Sequence, residues 1–142
     1  MDIVHYLQVN GELEKVYQVI STPRGISKWW SQDASGHSEL GALLDLDFGP
    51  GYQWQAQVIE MVPPVEYTLL LTRADQDWLN TTVSFHLEQA DGQVNVRFHH
   101  KGWNQANQHY YISCYCWAMY LRLMKRYIEH GEVVDYEQRL NV

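Results

Sequence analysis

Between Gln105 and His130 the chain carries neither proline nor glycine, and Gly131 then closes the run. Uninterrupted sequence of that length, ending at a glycine, predicts one long helix over 105–131. Tyr110, Cys114, Trp117, Leu121, Met124 and Ile128 recur along it at spacings of three and four, a wide apolar stripe. A helix striped on one side has to lay that side on another element. The rest of the sequence must therefore supply a surface long enough to receive it.

The preceding segments read as strands. Residues 2–9 alternate Ile3, His5, Leu7 and Val9 against Val4, Tyr6 and Gln8. Glu12 to Ser21 then has helical spacing in Leu13, Val16, Tyr17 and Ile20, and Thr22-Pro23 opens a second short helix carrying Ile26, Trp29 and Trp30. Two tryptophans side by side on one short helix are expected to diverge, one anchored on the sheet and the other at a cavity mouth. Residues 31–41 read as a loop with a short strand near His37 to Leu40. Four further strands show a clear inward face: Leu44, Leu46 and Phe48; Trp54, Ala56 and Val58; Tyr67, Leu69 and Leu71; and Val83, Phe85 and Leu87. Asp91-Gly92 is a hairpin signal, after which Val94, Val96, Phe98 and His100 share a face. The expected fold is α+β and of helix-grip type. In it a curved antiparallel sheet wraps around the long C-terminal helix, and two short helices follow the first strand. A sheet curled around a helix tends to leave a cavity.

With 142 residues, one domain over 1–142 is expected. Six Trp and ten Tyr are more aromatic bulk than a small core needs, which points to a cavity or an interface. A net charge of −7 argues against nucleic acid or an anionic membrane surface as partner. No apolar run approaches the ~20 residues of a membrane span, so no membrane insertion is expected. The opening Met1-Asp2-Ile3-Val4-His5 has no basic segment and no apolar signal region, which predicts a cytoplasmic protein. Two cysteines fit a reducing compartment.

The inward aromatics Trp54, Tyr67, Phe85, Phe98, Tyr110 and Trp117 read equally as the walls of an apolar pocket or as ordinary core. His100 has two readings. Pointing inward beside Phe98, it could orient a ligand or act as acid or base. At a strand end, it could instead bond a backbone group near Gly102. His99 faces the other way, so the pair cannot chelate a metal from one face. Cys114 and Cys116 point about 200° apart on a helix, which excludes a disulfide between them and a clean metal pair. No metal centre and no cofactor are expected. Asp45 and Asp47 share the outward face, so they do not form the inward carboxylate pair that acid–base catalysis would use.

Several segments of this layout carry a family resemblance. They are residues 14–22 followed by 25–30, residues 56–64 followed by 67–72, residues 82–85, residues 96–100, and residues 117–131. The more specific parts are Lys28-Trp29-Trp30 and the helix end Tyr127-Ile128-Glu129-His130-Gly131. The chain resembles the START-like (SRPBCC) superfamily of polyketide cyclase/dehydrase and lipid-transport proteins. Within it, the chain resembles the branch similar to the C-terminal domain of the heat-shock chaperone ATPase activator. The resemblance implies a helix-grip fold with a hydrophobic cavity between sheet and long helix. Full chaperone activators also carry a separate N-terminal chaperone-binding domain, which this sequence does not contain. The leading expectation is non-catalytic binding of a small apolar or amphipathic molecule, with a homodimer as a further expectation. The alternatives are a cyclase- or dehydratase-type enzyme using His100, and a chaperone-linked interaction module.

Overall fold

The computed structural model describes residues 1–142. Its strands are β1 (Asp2–Asn10), β2 (Asp33–Gly36), β3 (Leu43–Asp47), β4 (Gln53–Val62), β5 (Glu66–Arg73), β6 (Thr82–Ala90) and β7 (Gln93–Lys101). Helices α1 (Leu13–Ser21) and α2 (Pro23–Ile26) follow β1, α3 (Gln108–His130) follows β7, and a 3-10 helix spans Tyr136–Asn141. The strands form one antiparallel sheet in the order β1-β7-β6-β5-β4-β3-β2. From β2 to β7 the sheet is a meander. The α1–α2 connection spans its width and leaves β1 beside β7.

Alternation decides which face each strand buries, as the sequence predicts. Val94, Val96, Phe98 and His100 are all buried on β7, as are Val83, Phe85 and Leu87 on β6. The hairpin between these strands turns through Asp91 (φ 51°) and Gly92 (φ 77°), both left-handed. That conformation matches the natural strand twist and sets Phe85 opposite Phe98 and Val83 opposite His100. Curvature comes from the β4–β5 ladder, whose register shifts between Gln55 and Ala56 and again between Val58 and Glu60. Such irregularities bend a strand and sharpen its twist, so the sheet curls around α3.

Helix α3 begins three residues later than its sequence suggests. The Asn107 side chain accepts the Tyr110 N–H at 3.0 Å and caps the helix, leaving Gln105 and Ala106 outside it. Gly131 (φ 68°) ends it as expected, its N–H bonding the Tyr127 carbonyl at 2.8 Å. The same helix engages three backbone groups along the β1 edge of the sheet. Tyr110 Oη donates to the Asp2 carbonyl at 2.8 Å, and Lys125 Nζ to the Gln8 carbonyl at 2.7 Å. Glu129 accepts the Asn10 N–H at 2.8 Å. An edge strand whose polar groups are engaged this way is a poor template for another strand. No helix is long and apolar enough to cross a membrane.

Two local expectations are corrected. The short strand before β3 lies at Asp33–Gly36, not near His37 to Leu40. Its sequence has no apolar alternation, and pairing with β3, from Asp33 opposite Asp47 to Gly36 opposite Leu44, specifies it. Trp29 and Trp30 do not diverge, since both are fully buried. Helix α2 stops at Ile26, and the tryptophans occupy the turn beyond it, where both backbone N–H groups bond the Ile26 carbonyl. Released from helical geometry, the two indoles lie nearly parallel with centroids 6.1 Å apart.

The Trp-bearing turn is held by a close crossing of α1 and α2. A Cβ on Gly25 would sit 2.5 Å from the Val19 carbonyl oxygen and 2.6 Å from its Cα, both backbone atoms that cannot step aside. Gly25→Ala is therefore expected to destabilise the protein by about 1–3 kcal/mol through overpacking. Urea denaturation measures this, and an unchanged midpoint would contradict the close crossing.

Candidate functional site

Helix α3 presses on the middle of the concave face and fills it. At its N-terminal end the curled sheet diverges from the helix, and a pocket of about 310 Å³ remains. Phe48 and Trp54 come from the β3–β4 hairpin, with Tyr52 in its turn, and Asp75 and Trp78 come from the β5–β6 connection. Helix α3 contributes His109, Ile112, Ser113, Cys116, Trp117 and Tyr120. Trp30 and Tyr136 complete the wall.

All six tryptophans belong to one aromatic network. Trp78 is its hub, lying 5.2 Å from Trp54, 5.6 Å from Trp117, 6.4 Å from Trp30 and 6.3 Å from Trp103, ring centre to ring centre. Trp30 lies 5.0 Å from Trp117 and stacks on Trp29. Phe48 bridges Trp30 and Trp54 at 5.6 and 5.1 Å. Offset and tilted contacts at these distances are favourable, so the rings support one another, with Trp54 the one partly exposed indole of the group.

A buried hydrogen-bond chain fixes the position of this group. The Trp117 indole N–H can only donate, and it reaches His100 Nδ1 at 3.0 Å. Nδ1 is therefore the acceptor, which places the imidazole proton on Nε2. From there it is donated to Thr81 Oγ1 at 2.8 Å, and the Thr81 hydroxyl passes its own proton to the Trp78 carbonyl at 2.5 Å. Burial agrees with the neutral ring, pushing the His100 pKa down from 6.5 to about 3. A second bond, Trp78 Nε1 to Ser113 Oγ at 3.2 Å, ties the hub to α3 directly.

The remaining wall is held from the C-terminal side. Arg139, almost fully buried, donates to the carbonyls of Trp30, Ser31 and Val134 at 3.1 Å and of Ser27 at 3.0 Å. This anchors the terminal 3-10 helix against the Trp29–Trp30 turn. Tyr136 then donates to the Phe48 carbonyl at 3.1 Å at the pocket wall. Burial raises the Tyr120 hydroxyl to about 12 and shifts the Cys116 thiol upward as well. Both groups are protonated near neutrality, and Cys116 is a poor nucleophile.

Of the seven side chains singled out in the sequence, Trp54 and Trp117 stand on the pocket wall. Tyr67, Phe85 and Phe98 are buried in the packed centre, with Phe85 and Phe98 5.3 Å apart. His100 is wholly buried behind Trp78 and Trp117, its partners being side chains rather than the backbone near Gly102. Tyr110 faces the sheet edge, where it bonds Asp2. The pocket residues that sequence reasoning did not single out include Trp78, Tyr120 and Tyr136, together with the anchor Arg139. Trp78 lies in a connection with no periodicity. Tyr120 carried a usable signal, because it stands one turn beyond Trp117.

A family model described as activator of Hsp90 ATPase homolog 1-like protein matches residues 10–129. No curated protein matches the sequence. Among solved structures, the Aha1 dimer from Colwellia psychrerythraea superposes with a TM-score of 0.83 at 26% identity, over 93% of this chain and 98% of that one. A protein from Staphylococcus saprophyticus gives 0.80 at 19% identity, over 94% and 96% of the two chains. CalU16 from Micromonospora echinospora gives 0.74 at 13% identity, over 99% and 81%. The last two establish likeness of fold alone.

The neutral state of His100 has a consequence for stability. Above pH 6.5 the residue is uncharged in both the native and the unfolded chain. Below it the unfolded chain takes up a proton, and the native chain does not until about pH 3. Native stability should therefore fall as the pH drops through this window, by about 1.4 kcal/mol per pH unit from this residue. His100→Gln should lose that part of the slope in urea denaturation measured across the window. Equal slopes in the two proteins would contradict the assignment.

Proposed function

The chain belongs to the activator of Hsp90 ATPase homolog 1-like family, and we propose that it binds a small amphipathic, ring-containing molecule without transforming it. The observation that carries this reading is the pocket between α3 and the curled end of the sheet, walled by indoles and bordered by few polar groups. Apolar concavities with a small number of placed polar atoms are the usual form of a small-molecule site. Trp54 is the proposed stacking surface, with Phe48 beside it and the buried Trp78 and Trp117 backing the wall. Tyr67, Phe85, Phe98, His100 and Tyr110 support that wall from behind or from the side.

Support for a binder over a catalyst comes from protonation states. A cyclase or dehydratase built on His100 would need a nitrogen free to exchange protons with substrate. Both His100 nitrogens are engaged inside the protein, and the ring is off the pocket wall. The Cys116 thiol on the wall is held in its protonated form.

Binding is tested with a panel of planar aromatic molecules, followed by tryptophan fluorescence and thermal melting. A ligand should quench the indole emission and stabilise the fold by about 2.7 kcal/mol at a hundredfold excess over Kd. Trp54→Ala should weaken binding while leaving the circular dichroism spectrum intact. If no compound quenches or stabilises, the pocket reading fails and the interaction-module reading replaces it.

A homodimer is proposed as the assembly, because the Colwellia relative was solved as a dimer. The surface suited to it is the outer side of α3, where Tyr111 and Tyr115 are 64% and 76% exposed. Sedimentation should give a dimer, and Tyr115→Glu should return a monomer. A monomer at every concentration tested would contradict this.

A further inference from the structure

From the charge and ring composition of the pocket, we infer that its ligand is a cation: an aromatic or alkyl group bearing an ammonium, held by the Trp54 indole and the Asp75 carboxylate. The inference rests on the pocket being a binding site and adds the sign of the ligand's charge.

The first argument is the wall itself. Trp30, Trp54, Trp78 and Trp117 all border the space. Ring faces carry negative potential, and indole is the strongest neutral side chain for attracting an ammonium. Trp54 is the partly exposed member of the four and the one a cation can reach, with Trp78 packed 5.2 Å behind it. For an anion the same faces are repulsive.

The second argument is formal charge. No Lys or Arg lies on the wall, whose only titratable groups besides tyrosines and Cys116 are Asp75 and His109. Asp77 stands beside them and takes His109 Nδ1 at 3.0 Å. The other imidazole nitrogen is 3.9 Å from Asp75 Oδ2, too far for a hydrogen bond. Asp75 Oδ1 is buried and has no hydrogen-bond donor. The oxygen left for a ligand is Oδ2, whose ion-pair partner is the His109 imidazole 3.9 Å away. Arg139, in the C-terminal 3-10 helix, is off the wall and spent on four backbone carbonyls, and Arg73 is turned to the Gln53 carbonyl and Asp45. A net charge of −7 on the whole chain favours approach of cations as well.

Three probes of one shape decide it by isothermal titration: phenylbutyltrimethylammonium, the same skeleton ending in tert-butyl, and phenylbutylsulfonate. The ammonium should bind at least about fivefold tighter than the tert-butyl compound, and the sulfonate should bind weakest. Asp75→Asn keeps the residue 75 carbonyl that accepts the Trp78 and Leu79 N–H groups, so the loop is preserved. In this variant the ammonium's advantage should drop to about twofold or less, while tert-butyl binding stays unchanged. Trp54→Leu should weaken the ammonium more than the tert-butyl compound. Equal affinities, or a preference for the sulfonate, would overturn the cationic ligand and leave the pocket reading standing. An advantage that survives Asp75→Asn would overturn the role of Asp75. If none of the three binds, the pocket reading falls and the inference falls with it.

Discussion

The hydrogen bond from the Trp117 indole to His100 joins the two halves of this fold. Trp117 sits midway along α3, and His100 lies near the end of β7. Both are buried, so neither can trade its partner for water. Leaving one of these groups unpaired would cost on the order of 1–3 kcal/mol. The bond therefore fixes where along the sheet the helix settles, and with it the depth to which Trp117 enters the aromatic group. Through Thr81 the same chain reaches the Trp78 carbonyl, so the β5–β6 connection is positioned by the helix–sheet junction rather than by its own sequence.

The pocket follows from that constraint and from the shape of the sheet. Register shifts in β4 and β5 curl the far side of the sheet, while α3 runs unbroken from Gln108 to His130. A single helix on a curled sheet makes close contact over only part of its length. Contact is close from Trp117 to Ile128, where Leu121, Met124 and Ile128 are buried. It opens towards the N-terminal turns, where Ile112 is half exposed. The terminal 3-10 helix covers part of the opening, and the Arg139 guanidinium keeps it there. Its four donated bonds converge on carbonyls that the Trp29–Trp30 turn and the following tail would otherwise leave without donors.

The chemistry of the site is set by burial. Three groups suited to acid–base or nucleophilic catalysis are silenced by the fold: His100 by engaging both nitrogens, and Cys116 and Tyr120 by burial that raises their pKa. What remains on the wall is ring surface with Asp75 and the Asp77-bonded His109 at its border.

Which side of each strand is buried was legible in the sequence, because the side-chain period of a strand is two and nothing in the tertiary structure alters that. The α3 stripe, the Asp91-Gly92 hairpin and the Thr22-Pro23 helix start were legible for the same reason, since each is a local rule. The location of the cavity was not. Alternation says that Tyr67, Phe85, Phe98 and His100 point inward, but not how far the opposing helix stands from each of them. Trp78 became the hub although it lies in an aperiodic connection, because its placement depends on Ser113, Thr81 and His100. The burial of Arg139 depends on carbonyls 108–112 residues away in the chain. Separations along the sheet, and contacts between segments so distant in sequence, arise only when the chain closes on itself. They decided which of the inward-facing residues became a filled core and which became the wall of a pocket.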